Sequence, residues 1–438
     1  MQRALFYDRV PSLAAPLRFF LSAPFFALIA AILLLWQGPE ALASRWTPSA
    51  LALTHLLTLG FLAMTMIGAL IQILPVAANI VIPKANLTAT AVHGLLIAGT
   101  VLLSIAFSLM LPALFELALL FLVSAFAWLL TACAIGLWQV CRSGAAATVM
   151  GIQMALVALF LTVALGATLL GALAWRTPLS LTFLTELHVL WGLLGWVGLL
   201  VMSVAYQVIP MFQVTDIYPR CISRWLAPAL FLMLLLWSIT TVLLPDSAYG
   251  TRKIASTLIL ASYSAFAIVT IYRLWHRKRP KAEATTLFWY TAMTSLLTCL
   301  VIWSVQSLNI KSVDHTDFSL TLGIVFIVGF AYSAINGMLY KIVPFLIWYH
   351  LQHTPAAKLR IAPKIAKIIP DTAAQKQFRA HLIALLLLVA ATIWPAVFAR
   401  PAALAFGISS CWLWINLLRA SHLYASIKRK TSLPVVTA

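Results

Sequence analysis

The chain has 438 residues, of which 63% are hydrophobic and only 9% are charged, and its mean hydropathy is +1.01. Soluble globular domains are about half apolar and about one quarter charged, so this composition excludes a water-soluble fold. The 29 basic and 10 acidic residues give a formal net charge of +19. An excess of Lys and Arg is also typical of the cytoplasmic segments of membrane proteins, so we do not expect a nucleic-acid partner.

Twelve apolar stretches are long enough to cross a bilayer as helices, which takes about 20 residues each. The sequence therefore predicts an all-α polytopic membrane protein with twelve transmembrane helices in a single membrane domain, 1–438. We place the spans at 17–37, 48–77, 88–111, 113–140, 146–174, 181–213, 223–244, 254–275, 285–306, 316–347, 380–398 and 402–424.

The distribution of basic residues between spans predicts the orientation. With a cytoplasmic N-terminus, most Lys and Arg fall on the cytoplasmic side, many of them in a predicted basic loop at 348–379. The positive-inside rule then predicts that both termini face the cytoplasm, and we expect a multi-pass protein of the bacterial inner membrane. The basic residues left on the outer side are Arg45, Arg176, Arg252, Lys253, Lys311 and Arg400.

A threefold internal repeat is the most specific pattern in the chain. A glycine followed by an aromatic residue occurs in the second, sixth and tenth spans, and a proline follows fifteen residues after each glycine. The repeat predicts three four-helix units, 17–140, 146–275 and 285–424. Its positions are Gly60, Gly195 and Gly329, then Gln72, Gln207 and Lys341, and finally Pro75, Pro210 and Pro344.

Two interpretations of these repeat residues stay open. Glycine inside a membrane helix lets a neighbouring helix approach, and proline kinks the helix, which is a structural role. Alternatively, the polar residues three positions before each proline form a ring that serves a conduction path.

His55 and His188 are the candidate ligands. They lie five and seven residues before the repeat glycines of the second and sixth spans, near the predicted outer ends. Ionisable residues inside the membrane are costly and often functional, and a neutral imidazole binds iron, copper or zinc. Glu186 lies two residues before His188 and is a candidate partner that orients the ring. A purely structural role as packed or hydrogen-bonded histidines is the alternative.

Two further histidines occupy corresponding places. His93 and His381 begin the third and eleventh spans, in the first and third units, and are possible secondary ligands. Their structural interpretation is solvation near the cytoplasmic membrane surface.

The spacing of these residues resembles a known family. Twelve spans in three four-helix arcs, with histidines five and seven residues before a glycine on spans two, six and ten, are similar to the catalytic subunit of haem-copper oxidases and nitric oxide reductases. The oxidase-like and NnrS-like membrane proteins share the pattern. In that family the tenth helix carries two histidines, whereas Leu322 and Ile324 occupy those positions here. A complete oxygen-reducing centre is therefore not expected.

The family geometry implies that position minus five of one unit faces position minus seven of the next. His55 and His188 would then share one space and bind a haem, of b type by preference, or copper or another transition metal. The resemblance implies redox chemistry connected with respiration or nitric oxide, with a respiratory subunit or electron donor as partner besides the lipid bilayer. The alternatives are a carrier or channel for a small solute or protons, and a non-catalytic assembly or sensor protein.

Overall fold

The computed structural model describes residues 11–78, 80–139, 146–244, 249–307, 318–352, 354 and 362–432. Within these ranges the chain is helical without strands, and twelve helices are long and apolar enough to cross a membrane. The protein is thus an all-α polytopic membrane protein. The helices are α1 Ala14–Leu42, α2 Pro48–Val76, α3 Ala85–Leu109, α4 Pro112–Trp138, α5 Ala147–Trp175, α6 Leu181–Gln213, α7 Arg220–Leu243, α8 Tyr249–Trp275, α9 Ala284–Gln306, α10 Phe318–Gln352, α11 Asp371–Ile393 and α12 Pro395–Lys430.

Local sequence signals set several helix ends. The side chain of Thr47 accepts a hydrogen bond from the backbone N–H of Ala50, and Pro48 occupies the first helical turn, so α2 begins there. Met110 adopts a left-handed conformation with φ of 52°, which ends α3 and lets Pro112 begin α4. The third and fourth spans are therefore separate helices.

The last two spans differ from the prediction. We expected 380–398 and 402–424, but α11 ends at Ile393 and α12 begins at Pro395. Pro395 stands at the first helical position, where its missing N–H costs no hydrogen bond. Pro401, which we expected to separate the two spans, lies inside α12. The break between the two helices therefore comes six residues earlier than predicted, because Pro395 and not Pro401 interrupts the backbone hydrogen bonds that would continue α11.

The predicted basic loop, 348–379, is also shorter than expected. Helix α10 continues to Gln352, and α11 begins at Asp371, so both ends of the segment are helical. A helix of four residues, Ile365–Ile368, lies between them. The extension of α11 comes from its N-terminal sequence, where Pro370 precedes Asp371 in the first turn, an arrangement that favours a helix start.

The packing repeats three times around a closed ring. In each unit the first helix packs on the second, and the third and fourth helices form an antiparallel pair. The fourth helix of each unit then packs on the first helix of the next unit, and α12 closes the ring against α1. The second helices of the three units form the centre. In the most apolar stretch of each helix, 67% of the residues of α2 and 61% of those of α6 and α10 are buried, against 22–50% in the other nine membrane-spanning helices of the described ranges.

The three repeat glycines bring the first and second helices of each unit together. A Cβ atom at Gly60 would lie 2.5 Å from Cγ of Phe26 on α1. The same atom at Gly195 would lie 2.9 Å from Cβ of Ala158 on α5, and at Gly329 it would lie 2.6 Å from Oγ of Ser295 on α9. These contacts are those of the structural interpretation of the repeat, because each glycine admits the neighbouring helix.

Each central helix also contains a π-helical segment at the repeat. The segments are Leu56–Ala63 in α2, Leu190–Gly198 in α6 and Val325–Tyr332 in α10. The rings of Phe61 and Tyr332 stack with their centroids 3.9 Å apart, which joins α2 to α10 at the centre. The π-helix is rare and is found frequently at functional sites. Its recurrence in all three units therefore makes the repeat a candidate functional region.

Candidate functional site between the first and second units

His55 and His188 lie at the same distance from the starts of two central helices, although they differ by two residues in the register of the repeat. Each is the eighth residue of its helix, since α2 begins at Pro48 and α6 at Leu181. At 1.5 Å per residue, each lies about 10 Å along the helix from its first residue. Both also lie just before a π-helical segment. The two imidazoles are therefore at similar depth on the same side of the molecule.

The two rings face each other across the boundary between units. Their centroids are 6.3 Å apart, and their planes differ by 23°. The structure thus brings together the two histidines that, by the family resemblance, were expected to share one space. They are the only pair of histidine rings in contact among the described residues.

Both Nδ1 atoms are held by backbone carbonyls. Nδ1 of His55 lies 2.8 Å from the carbonyl oxygen of Leu51, and Nδ1 of His188 lies 3.0 Å from that of Thr162. A carbonyl oxygen only accepts, so both Nδ1 atoms must carry a hydrogen. In neutral imidazoles the two Nε2 atoms are then unprotonated, and neither forms a hydrogen bond to a described residue. Two lone pairs are left for an electron-pair acceptor.

Two small or flat neighbours shape the space around these rings. The ring of Phe107 on α3 lies 5.4 Å from that of His55, measured between centroids. A Cβ atom at Gly166 on α5 would lie 2.9 Å from Cε1 of His188, so only glycine leaves room for this ring position. The site is therefore built from α2 and α3 of the first unit and from α5 and α6 of the second.

Glu186 points to a different partner from the one expected. Its carboxylate lies 3.9 Å from Nη2 of Arg45, and just under half of each side chain is exposed, 49% of Glu186 and 41% of Arg45. The hydrogen-bond acceptor that orients His188 is the carbonyl of Thr162. The Arg45–Glu186 pair joins the segment before α2 to the start of α6, and so it connects the two units above the histidines.

His93 and His381 lie in other parts of the ring. Nε2 of His93 lies 2.8 Å from Oγ of Ser22 on α1, and Nε2 of His381 lies 2.7 Å from Oγ of Ser333 on α10. Each serine hydroxyl donates to a backbone carbonyl, so each histidine Nε2 must be the donor to its serine. In each of these neutral rings Nε2 carries the proton, so only Nδ1 could bind a metal, and the role of the two histidines as secondary ligands stays a prediction.

The other equivalent positions of the repeat are aliphatic. At the remaining positions five and seven residues before the repeat glycine, the first unit has Leu53, the second has Leu190, and the third has Leu322 and Ile324. Only one of the three boundaries between units therefore carries a pair of histidines.

The polar residues before the repeat prolines do not share one environment. Lys341 forms an ion pair with Glu283, which lies just before α9. Oε1 of Gln72 is buried and has no hydrogen-bond partner among the described residues, and Gln207 is half-buried. A conduction path through a ring of these three residues therefore stays a prediction.

The donor set available to a metal is small. Within the described residues, no group of three or more His, Cys, Asp or Glu side chains is arranged to hold a metal ion. The two imidazoles at the first boundary are thus the protein ligands that the site offers.

Comparisons with known proteins give no assignment. No protein-family model matches this chain, and no curated protein matches it in sequence. The chemistry of the side chains at the first boundary is therefore the basis for a functional assignment.

Sequence reasoning missed the neighbours that fix the histidines. Gly166 and Phe107 stand in apolar runs where nothing in the spacing distinguishes them from other helix-packing residues. The carbonyls of Leu51 and Thr162 carry no side-chain signal at all. The one available hint was Gly166 itself, because glycine in a membrane helix often marks a close approach.

Proposed function

We propose that this protein is a haem-binding, multi-pass protein of the bacterial inner membrane, with a fold like that of the haem-copper oxidases. His55 and His188 would be the two protein ligands of a b-type haem. We assign it a role in electron transfer linked to respiration or to nitric oxide, with a respiratory subunit or other electron donor as partner.

The observation that carries this proposal is the contact of each imidazole Nδ1 atom with a backbone carbonyl. Hydrogen bonds to two carbonyls place both protons on Nδ1, and this is the arrangement found in metal-binding histidines, where the other nitrogen binds the ion. The two rings are also close together, with their centroids 6.3 Å apart and their planes 23° from parallel.

The small donor set favours haem over a bare metal ion. Copper or zinc held by protein ligands alone needs three or four donors, and the described residues offer two imidazoles. A porphyrin brings four nitrogen donors of its own and asks the protein only for axial ligands. Two histidines on facing helices supply that complement.

A haem, when bound, would supply one-electron redox chemistry. The chain would contribute the orientation of the ligands and a surrounding of low polarity. The carbonyls of Leu51 and Thr162 fix both ring tautomers, and hydrogen bonding to Nδ1 raises the basicity of Nε2. Because α2 and α6 belong to different units, ligation would also tie the first unit to the second.

The orientation belongs to the same proposal. The positive-inside rule puts both termini in the cytoplasm, so the side on which α2 and α6 begin faces the periplasm. An electron donor would then approach from the periplasmic side, where Trp46 and Trp175 are exposed.

The first test is an absorption spectrum of the full-length protein purified from membranes. We expect a Soret band and a reduced-minus-oxidised difference spectrum typical of b-type haem. His55→Ala and His188→Ala should each abolish or strongly reduce the band, because a single imidazole cannot hold the group from both sides. His422→Ala, at an exposed position of α12, is the matched control and should keep the band.

A colourless, metal-free and folded preparation would contradict the proposal. It would favour the alternative in which the same space serves a small-solute or proton carrier, with His55, His188 and Glu186 as polar groups along the path. A band that survives in both alanine variants would place the haem elsewhere in the protein.

A further inference from the structure

A groove on the surface of α12 lies apart from the histidine pair. It has a volume of about 470 Å³ and is lined by Leu418, Arg419, His422, Leu423 and Ser426. Arg419 and His422 are exposed, and Ser426 is partly exposed. The groove therefore combines three polar side chains with two apolar ones.

The groove lies where α12 leaves the membrane. The helix has 36 residues and is about 54 Å long at 1.5 Å per residue, whereas the hydrocarbon core of a bilayer is about 30 Å thick. Asn416 donates a hydrogen bond to the hydroxyl of Tyr340 on α10, and the next residue of α10, Lys341, forms an ion pair with Glu283. An ion pair at this level is typical of the membrane surface. Arg419, about one turn beyond Asn416, is thus at the level of the lipid headgroups.

An apolar stripe on α12 leads from the membrane into the groove. Leu404, Ile408, Ile415 and Leu418 are all exposed, with spacings of four, seven and three residues. At 3.6 residues per turn, the four side chains lie within an arc of about 80°, and His422 falls in the middle of the same arc. A hydrocarbon chain that packs on this stripe would therefore end at the polar side chains of the groove.

The polar side chains of the groove favour an anion. The guanidinium of Arg419 presents several N–H donors in a planar fork that matches a phosphate group. The imidazole of His422 and the hydroxyl of Ser426 each supply a further donor. No acidic residue occurs between Pro395 and Ser432, so α12 offers no partner for an ammonium group.

The neighbouring helix α11 adds positive charge. Its single acidic residue, Asp371, accepts a hydrogen bond from the backbone N–H of Ala284 at 2.9 Å and another from Nε2 of Gln375 at 2.7 Å. These contacts direct the carboxylate toward the start of α9. Lys376 and Arg379 on α11 are both exposed. The surroundings of the groove therefore favour a ligand with a net negative charge.

We propose that the groove on α12 binds one anionic phospholipid of the surrounding bilayer. The lipid phosphate would accept hydrogen bonds from Arg419, His422 and Ser426, and one acyl chain would lie along the apolar stripe from Leu418 to Leu404. The volume of the groove is within the range of about 300–1,000 Å³ that is usual for ligand sites. Basic pockets at the membrane surface are a known means of binding lipid headgroups. No residue of this site belongs to the histidine pair, so the proposal does not depend on haem binding.

Native mass spectrometry of the full-length protein, delipidated in detergent, tests this proposal. Phosphatidylglycerol, phosphatidylcholine and glycerol 3-phosphate are added separately. The second lipid keeps the phosphate and the acyl chains but carries a cationic headgroup, and the third compound keeps the phosphate without the chains. We expect one phosphatidylglycerol to stay bound per chain, several-fold less phosphatidylcholine, and no glycerol 3-phosphate.

The double variant Arg419→Gln and His422→Gln should lower the occupancy of phosphatidylglycerol several-fold. Lys428→Gln is the matched control, because Lys428 is an exposed basic residue of the same helix that lies about 120° around the axis from His422. This control should bind phosphatidylglycerol as the unmodified protein does.

Equal occupancy by the two lipids in the unmodified protein would overturn the proposal, whether or not the variants fold. Undiminished phosphatidylglycerol binding by the folded double variant would overturn it as well. Binding of glycerol 3-phosphate as strong as that of the lipid would show a site for a soluble anion and would contradict the assignment to a phospholipid.

Discussion

At the scale of single residues, the chemistry of the site depends on which nitrogen of each imidazole carries the proton. His55 and His188 donate hydrogen bonds from Nδ1–H to backbone carbonyls, whereas His93 and His381 donate from Nε2–H to serine hydroxyls. The same residue type in similar apolar surroundings thus has two different hydrogen-bond patterns. Only the first pattern leaves two Nε2 lone pairs on rings that contact each other.

Gly166 gives the sharpest single-residue prediction. A methyl group at this position would lie 2.9 Å from Cε1 of His188, so Gly166→Ala should displace the ring and lower the haem content. The helix itself should tolerate the change, since alanine is the better helix former. Haem content per protein, from the absorbance ratio of the purified variant, measures the effect.

Gly323→Ala on α10 is the control for this substitution. A Cβ atom at position 323 has no neighbour within 4 Å, so this variant should keep the haem content of the unmodified protein. An unchanged haem content in Gly166→Ala would mean that the position of the His188 ring does not matter for ligation.

The two histidines could be singled out from the sequence as ionisable residues in apolar spans, but their pairing was expected only from the family resemblance. The spacing alone could not give the pairing, because π-helical segments lie between each histidine and its repeat glycine and change the angle per residue. The π-helical segments themselves had no sequence signal, because their hydrogen-bond shift arises from packing at the centre. The polar residues of the third unit were missed as well, since Asn and Gln in an apolar run do not show which way they face.

At the scale of helices, the repeat glycine is the element that sets the distance between the first and second helix of each unit. Phe26, Ala158 and Ser295 occupy the places where a Cβ atom would otherwise lie. The proline fifteen residues later lies inside a helix in all three units, so it does not end the helix. The repeat glycine thus has the same helix-packing role in all three units.

Gly60→Ala should destabilise the protein. The added methyl group would meet Cβ and the ring of Phe26 at 2.5–2.7 Å, and overpacking of this kind costs about 1–3 kcal/mol. We expect a lower apparent melting temperature in detergent, measured by intrinsic tryptophan fluorescence. Gly94→Ala on α3 has open space around the new methyl group and should leave the melting temperature unchanged or raise it.

A Gly60→Ala variant that melts at the same temperature as Gly94→Ala would contradict the packing role of the repeat.

The helix ends were less predictable than this packing role. The pair Trp394 and Pro395 ends α11 inside the predicted span 380–398, close to its end, because apolar residues continue on both sides of the break.

At the scale of the whole molecule, three units form a closed ring whose boundaries are chemically different. The boundary between the first and second units carries two histidines, while the corresponding repeat positions elsewhere carry leucine and isoleucine. The third unit instead encloses buried Ser, Asn, Gln and His side chains. A common scaffold is thus combined with polar groups that differ from one unit to the next.

The orientation of this ring in the membrane gives a separate prediction. Cys221 is exposed at the beginning of α7, on the side that the charge distribution assigns to the cytoplasm. A membrane-impermeant maleimide should label it in inverted vesicles and not in right-side-out spheroplasts. Thr177→Cys, placed in the exposed segment before α6 in a Cys221→Ser background, should give the opposite result.

Labelling of Cys221 from the outside would reverse the orientation and would put the histidine pair near the cytoplasm. The fold and the contact between the two histidines would be unaffected by that outcome, since both depend on packing inside the ring. The side from which an electron donor approaches would change.

Electron paramagnetic resonance of the oxidised full-length protein tests the central claim most directly. One porphyrin iron held by two imidazoles should give a single low-spin ferric signal, equivalent to one iron per chain, and the signal should vanish in His55→Ala and in His188→Ala. A folded protein that lacks this signal, or one that retains it after both substitutions, would contradict the account.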